Sequence, residues 1–250
     1  MSGINSNVKT KNNDCALSDM TNVSINKIDE IVRTLEGLYG VPVWNGPKDP
    51  VEELVACILS QHTSDINSGR AFARLQSKYP TWNAVVGAET QELADTIRCG
   101  GLADSKAPRI QKVLSEIQSR SGEISLGFLD QMSDSDARAY LMALPGVGPK
   151  TSGIVLCFAL GRNVLPVDTH VFRVAWRLGL IEKRIGEAKA HDALQRQLKP
   201  EMTFRFHMAL IQHGRKICKA PTPRCSECPI RDLCQTYQIN KLQDIETGRK

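Results

Sequence analysis

Between residues 25 and 213, apolar positions recur at helical spacing in one segment after another. The first, 25–39, sets Ile28, Ile31, Val32, Leu35 and Leu38 on one face. Pro42, Pro47 and Pro50 then mark a loop. Asp49-Pro50 opens a second helix that runs through Gln61, because proline suits the first helical position and Glu52 and Glu53 suit the positive end of the helix dipole. The same spacing predicts helices over 65–77, 90–98, 104–120, 133–143, 150–160, 169–178, 187–197 and 203–213, divided by short Gly/Pro/Ser turns. No stretch alternates apolar and polar residues between hairpin signals, and no repeat of fixed period occurs, so the fold class is all-α. Residues 1–24, rich in Asn, Ser and Lys, read as a disordered tail, and 241–250 as a second tail.

Past the last of these helices, Cys218, Cys225, Cys228 and Cys234 fall in one short stretch as C-x6-C-x2-C-x5-C. The intervening Lys219–Arg224 run, KAPTPR, has two prolines and no period, and so reads as a loop. Four thiolates this close in the chain can meet at one metal centre without help from a distant segment. Structural zinc sites usually pair two short Cys/His knuckles across a longer insert. Here a single C-x2-C is flanked by lone cysteines, and iron–sulfur clusters accept such varied spacings. The spacing leans to a cluster and leaves zinc open, with unrelated core cysteines a distant third. Cys15, Cys57, Cys99 and Cys157 match no motif; Cys57 and Cys157 sit in apolar helical runs as core residues. Trp44, Trp82 and Trp176 carry no signal beyond packing.

A second break falls at Leu144-Pro145-Gly146-Val147-Gly148-Pro149-Lys150-Thr151, between two predicted helices. Gly146 and Gly148 permit a tight turn, Pro149 suits the first position of the next helix, and the turn offers backbone amides to a phosphate. Lys150 then stands in the first turn, where a cation opposes the dipole. Either it is an exposed lysine bearing a small penalty, or partial burial and the helix terminus favour its neutral, nucleophilic amine. Eighteen residues on, Asp168 opens the helix of Val171, Val174, Ala175 and Leu178 as an N-cap. A capping carboxylate is held ionised and aimed, which also equips it to stabilise a cationic sugar transition state.

Composition adds compartment and partner. The first twenty residues lack the apolar segment of a secretory signal, and the longest apolar run, Ile154–Leu160, is far short of the ~18 residues that span a bilayer. Eight cysteines without a signal argue for reduced thiols and a metal site inside the cell. The net charge of +5 is mild. It gathers, however, in and beside the cysteine loop at Arg215, Lys216, Lys219, Arg224 and Arg231, against Glu227 and Asp232 alone, a distribution suited to phosphates or simply to solvent.

Taken in order, L-P-G-V-G-x-K-T, V-D-T-H-x-F-R-V, H-G-R at His213–Arg215 and the four-cysteine loop resemble the endonuclease III family of helix–hairpin–helix DNA glycosylases, from about Ile25 to Cys234. The resemblance implies a 4Fe–4S cluster on Cys218, Cys225, Cys228 and Cys234. It implies two helical lobes: a six-helix domain with the hairpin at about 48–165, and a cluster domain at 166–240 joined by the N-terminal helix of 25–47. It makes Lys150 the catalytic nucleophile and Asp168 the catalytic aspartate. The partner is double-stranded DNA carrying damaged bases or abasic sites, bound by a monomer with no membrane association. The compartment is the cytoplasm with its nucleoid in a bacterium or archaeon, and the nucleus or mitochondrion in a eukaryote.

The same resemblance names residues that enter the helix when the damaged nucleotide is flipped out. Leu102, in Gly101–Ala107, matches the family's wedge leucine. Ser60–Asp65 matches a second loop, commonly S-A-Q-A-T-D, so that gap-free alignment sets His62, not Gln61, at the inserting glutamine; the choice between them stays open. Gly146, Gly148, His170, Lys219 and Arg224 complete the expected DNA contacts. The implied activity is a bifunctional glycosylase and abasic-site lyase on oxidised pyrimidines. A uracil or thymine-mismatch glycosylase on the same fold and a non-catalytic, redox-sensing DNA binder are the alternatives. Adenine glycosylases share the cluster but lack the lysine and carry a further C-terminal domain, a poor fit to the short segment after Cys234.

Overall fold

The computed structural model describes residues 26–247; the tail expected over 1–24 and Cys15 lie outside them. Among the described residues there are helices and connecting turns and no strand, and no helix is long and apolar enough to cross a membrane. The chain forms two compact units. One is Trp44–Pro166, and the other joins the described residues up to Val43 to those from Val167 onward.

The Trp44–Pro166 unit contains the six helices expected from the apolar pattern and one more. They are α2 (Pro50–Ser60), α3 (Asp65–Lys78), α4 (Trp82–Gly87), α5 (Thr90–Ile97), α6 (Ala103–Ser121), α7 (Asp134–Met142) and α8 (Pro149–Ile154). Side-chain oxygens start several of them: Asp49 accepts from the Val51 amide at 2.8 Å, Ser64 from Asn67 at 3.3 Å and Thr81 from Ala84 at 3.2 Å. Leu54 and Ile58, Leu75, Leu93 and Ile97, and Ile110 and Leu114 meet in one core. Burying each such side chain is worth about 1.5–3 kcal/mol. The added helix, α4, buries only Val85, too little for a periodic signal. Beyond α8 the chain widens into a π turn, Val155–Ala159, whose Phe158 carbonyl accepts the Trp44 indole N–H at 2.9 Å. Gly153 lets α8 lie close to the chain that follows, since a Cβ there would come within 3.0 Å of the Pro166 Cα.

The second unit comprises α1 (26–39), α9 (Thr169–Leu178), α10 (Gly186–Gln195), α11 (Thr203–Lys216) and α12 (Gln235–Thr247). α9 is its centre, packed on α11, α10 and α12. α1 docks through polar links at both ends of its length: Lys27 Nζ donates to the Leu178 carbonyl at 2.7 Å, and Arg205 Nε to Glu36 Oε1 at 2.7 Å. The expected tail over 241–250 is corrected, because 241–247 continue α12. That helix leaves Ile239, Leu242 and Ile245 exposed, so it carries no buried stripe for the pattern to reveal.

Candidate nucleophile, wedge loops and cysteine centre

The hairpin joins α7 to α8. Leu144 and Val147 bury their side chains in the core, Gly146 takes a left-handed φ of 73°, and Gly148 is extended as the N-cap of α8. Pro149 and Lys150 occupy the first two helical positions. Thr151, Ser152 and Gly153 face inward, which leaves Lys150 exposed, the first of the two alternatives read from the sequence and not the partly buried one. Its charge is felt nearby: burial pushes the Cys57 thiol up to about 12, Glu53 adds to that shift and Lys150 opposes it. Glu53 is itself a half-buried carboxyl raised by desolvation, with Lys48 pulling the other way. No sequence motif marked it.

Gln61, His62 and Leu102 stand on two loops of the same unit. His62 (φ 53°) and Leu102 (φ 52°) are the non-glycine residues with left-handed backbone among the described residues. Such a conformation costs about 1–3 kcal/mol and persists where surrounding contacts impose it, often at functional sites. His62 is exposed, as is Leu102 at 57%. Gln61 is engaged differently: its Oε1 accepts from Arg109 Nη1 at 2.6 Å. Sequence reasoning missed Arg109, whose stem also lies against Gly146, where a Cβ would come within 3.3 Å of Cδ. It missed Lys106 as well, a lysine on the buried stripe of α6.

In the other unit Asp168 caps α9, with Oδ1 accepting the Val171 amide at 2.7 Å, and is buried. His170, two residues along, faces Arg173, whose Nη2 is 3.0 Å from His170 Nδ1 and donates to the Gly214 carbonyl at 2.9 Å. Burial, together with the Arg173 and Arg215 charges, lowers the His170 pKa against the pull of Asp168. Gly214 is required at this crossing of α9 and α11, since a Cβ would lie 2.9 Å from that of His170. The H-G-R motif thus has a packing reason at its centre. His170, Arg173, Gly214, Arg215, Lys219 and Ala220 line one open, basic depression. Arg224 is spent locally, on the Lys216 carbonyl and on Glu227 Oε2 at 3.0 Å.

Cys218, Cys225, Cys228 and Cys234 are half-buried free thiols that line one cavity with Arg177, His213, Ile217 and Ile230. Burial pushes Cys228 up to about 11 and raises Cys225 and Cys234, and a thiol must give up its proton to bind a metal. Among the described residues no three His, Cys, Asp or Glu side chains gather tightly enough to hold a single metal ion. Four thiols lining one cavity are a donor set that fits a thiolate-bound metal centre. Donors surround the sulfurs. Arg177 Nη1 lies 3.3 Å from Cys218 Sγ and donates to the Lys219 carbonyl at 2.9 Å, and His213 Nε2 lies 3.5 Å from Cys228 Sγ. His213 is fully buried, which lowers its pKa to about 4, and its Nδ1 is 3.1 Å from the Tyr39 hydroxyl.

Residues 55–200 match the family model described as HhH-GPD superfamily base excision DNA repair protein. A protein of Arabidopsis thaliana assigned as a DNA glycosylase is 38% identical over 72% of this chain, and the chain spans 64% of that relative's length. Endonuclease III of Thermotoga maritima is 32% identical over 84% of this chain and 93% of its own. The solved structure of a trapped endonuclease III–DNA covalent intermediate superposes with a TM-score of 0.72 at 29% identity, covering 87% of this chain and 98% of that one. The chain belongs to the HhH-GPD superfamily of base excision DNA repair proteins and, within it, to the endonuclease III family.

Proposed function

We propose that this protein is a DNA glycosylase and abasic-site lyase that removes oxidised pyrimidines, with Lys150 as nucleophile. The observation that carries this reading is the position of Lys150, second in α8 directly after the Leu144–Gly148 turn, where its amine is open to a substrate. The likeness to a trapped covalent endonuclease III–DNA intermediate supports an amine that bonds to its substrate.

The neutral Lys150 Nζ attacks C1′ of the flipped nucleotide. The base leaves with the electron pair of the glycosidic bond and takes a proton, and the buried Asp168 carboxylate offsets the positive charge that develops on the sugar. The ring opens to a Schiff base on Nζ, which acidifies the C2′ proton. Loss of that proton expels the 3′ phosphate by β-elimination, and water releases the amine. His62 and Leu102 are the wedge residues: both are exposed on backbone held in the left-handed region. Gln61, held by Arg109, supports the loop. Gly146 and Gly148 present hairpin backbone to the DNA, and the basic depression of His170, Arg173, Arg215 and Lys219 meets a phosphate. Arg224 acts on the backbone only indirectly, by tying down the cysteine loop.

Cys218, Cys225, Cys228 and Cys234 would hold a 4Fe–4S cluster. When bound, it supplies metal–thiolate bonds that pin the basic loop, and takes no part in the bond-breaking steps. One chain holds both catalytic residues, so a monomer suffices.

Borohydride trapping tests the reading. The protein is incubated with duplexes containing thymine glycol, uracil, a G·T mismatch or an abasic site, then reduced. A covalent adduct on thymine glycol and abasic duplexes, absent from Lys150→Ala, is expected. Better trapping on uracil or G·T would reassign the base, and no adduct on any duplex would remove the catalytic reading.

A further inference from the structure

Lys106 lies on the buried face of α6 beside Ala103, Ala107 and Ile110, only 2% exposed. A buried ammonium is costly unless its donors are matched. Its Nζ donates to two backbone carbonyls, Leu59 at 2.7 Å and Gly100 at 2.9 Å. Leu59 is in the last turn of α2, just ahead of Gln61 and His62; Gly100 closes the short turn just ahead of Leu102. One cation therefore spans the roots of both loops whose tips are left-handed. Both acceptors belong to chain that is leaving a helix, where carbonyls lose their partners. An apolar side chain of the same length would leave both unpaired. One turn further along α6, Arg109 reaches the Gln61 side chain and the Gly146 turn, so the start of this helix touches three loops at once.

We propose that Lys106 is a positioning residue for opening the duplex: it sets the separation and backbone conformation of the His62 and Leu102 loops so that both side chains enter the helix together as the damaged nucleotide leaves. Lys106 itself stays buried and never meets DNA. This inference rests on the wedge roles given to His62 and Leu102 above.

The test compares two substrates on the full-length protein with its cluster. An abasic site in a duplex must be extruded before Lys150 can reach C1′, whereas an abasic site in a single strand need not be. Single-turnover cleavage is measured on both for Lys106→Met, His62→Ala and Leu102→Ala, with Lys106→Gln, which retains an amide donor, read in the same way if the methionine variant does not fold. Misplacement of a wedge by about 1 Å can cost up to about a hundredfold. Expected for Lys106→Met is a loss of about tenfold or more on the duplex, with the single-strand rate within about twofold of wild type and partial recovery in Lys106→Gln. If the alanine variants lose duplex activity and Lys106→Met does not, the inference fails while the wedge reading stands. An equal loss on both substrates would make Lys106 a general structural residue and overturn the inference. If His62→Ala and Leu102→Ala both leave the duplex rate intact, the wedge reading fails and takes this inference with it.

Discussion

Asp168 and Val171 are joined by a 2.7 Å hydrogen bond from the Val171 amide to the Asp168 carboxylate, so the side chain proposed to steady a cationic sugar is also the cap that starts α9. The two tasks are separable because asparagine caps as well as aspartate but carries no charge. Asp168→Asn is expected to leave unfolding stability within about 0.5 kcal/mol of wild type while base release falls by about a hundredfold or more. Asp168→Ala should show the same kinetic loss and a further destabilisation of about 1 kcal/mol. Chemical denaturation and single-turnover kinetics read the two effects. Full activity in Asp168→Asn would mean that the charge is not needed.

Gly214 sits where α11 crosses α9, and the Cβ of an alanine there would lie 2.9 Å from the His170 Cβ and 3.3 Å from Arg173 Nη2. Neither neighbour is the free end of an idle side chain, since Arg173 also donates to the Cys218 carbonyl at 3.0 Å. Gly214→Ala is expected to destabilise by about 1–3 kcal/mol through overpacking. Because the displaced side chains line the basic depression, DNA affinity should fall and depend less steeply on salt. A melting curve and a salt titration of binding check both, and an unchanged melting temperature would show that the crossing can relax.

Tyr39 supplies the hydrogen bond that orients His213. A proton on Tyr39 Oη directed at Nδ1 leaves the Nε2 hydrogen to face Cys228 Sγ, the kind of supporting contact that tunes metal ligands. Tyr39→Phe keeps the ring, with Lys216 Nζ 4.6 Å from its centre, and removes only the hydroxyl. It is expected to cost about 1–2 kcal/mol for the unpaired buried nitrogen. The visible absorbance of the proposed cluster should also bleach at a lower denaturant concentration than in wild type. Coincident curves for variant and wild type would deny Tyr39 this role.

What the sequence could announce follows from where each signal resides. α3 and α6 were legible because each carries a buried stripe at helical spacing, and the shared cavity of the four cysteines because residues that close in the chain need no tertiary help to meet. α4 is too short to show a period, and α12 has no buried stripe. Lys106 was unreadable for a different reason. Its acceptors are main-chain carbonyls of Leu59 and Gly100, and every residue has a carbonyl. The same holds for Arg173 and Arg177, which bind the carbonyls of Gly214, Cys218 and Lys219. Lys150 could be placed in the first turn after the hairpin, yet the choice between an exposed and a partly buried amine could not be made, because which positions of a short helix face inward is decided by the packing around Ser152 and Gly153.

Glu53 gives a pH dependence with a definite sign. It lies half-buried in α2, and desolvation raises its pKa above the ordinary 4.5 despite the opposing charge of Lys48. In the window between 4.5 and the higher folded value, the native state holds a proton that the unfolded chain has released. Stability attributable to this group is therefore greatest below 4.5 and declines as pH rises through the folded value, then stays level. Glu53→Gln mimics the protonated form and cannot ionise. Its melting temperature is expected to match wild type at low pH and to exceed it near neutrality, the gap opening across the window. Glu53 also raises the pKa of the buried Cys57 thiol, so the variant should make Cys57 slightly easier to ionise and to alkylate under partly denaturing conditions. A wild type more stable than Glu53→Gln at neutral pH would reverse the sign and show that the ionised carboxylate is stabilising, paired with Lys48 instead of penalised by burial.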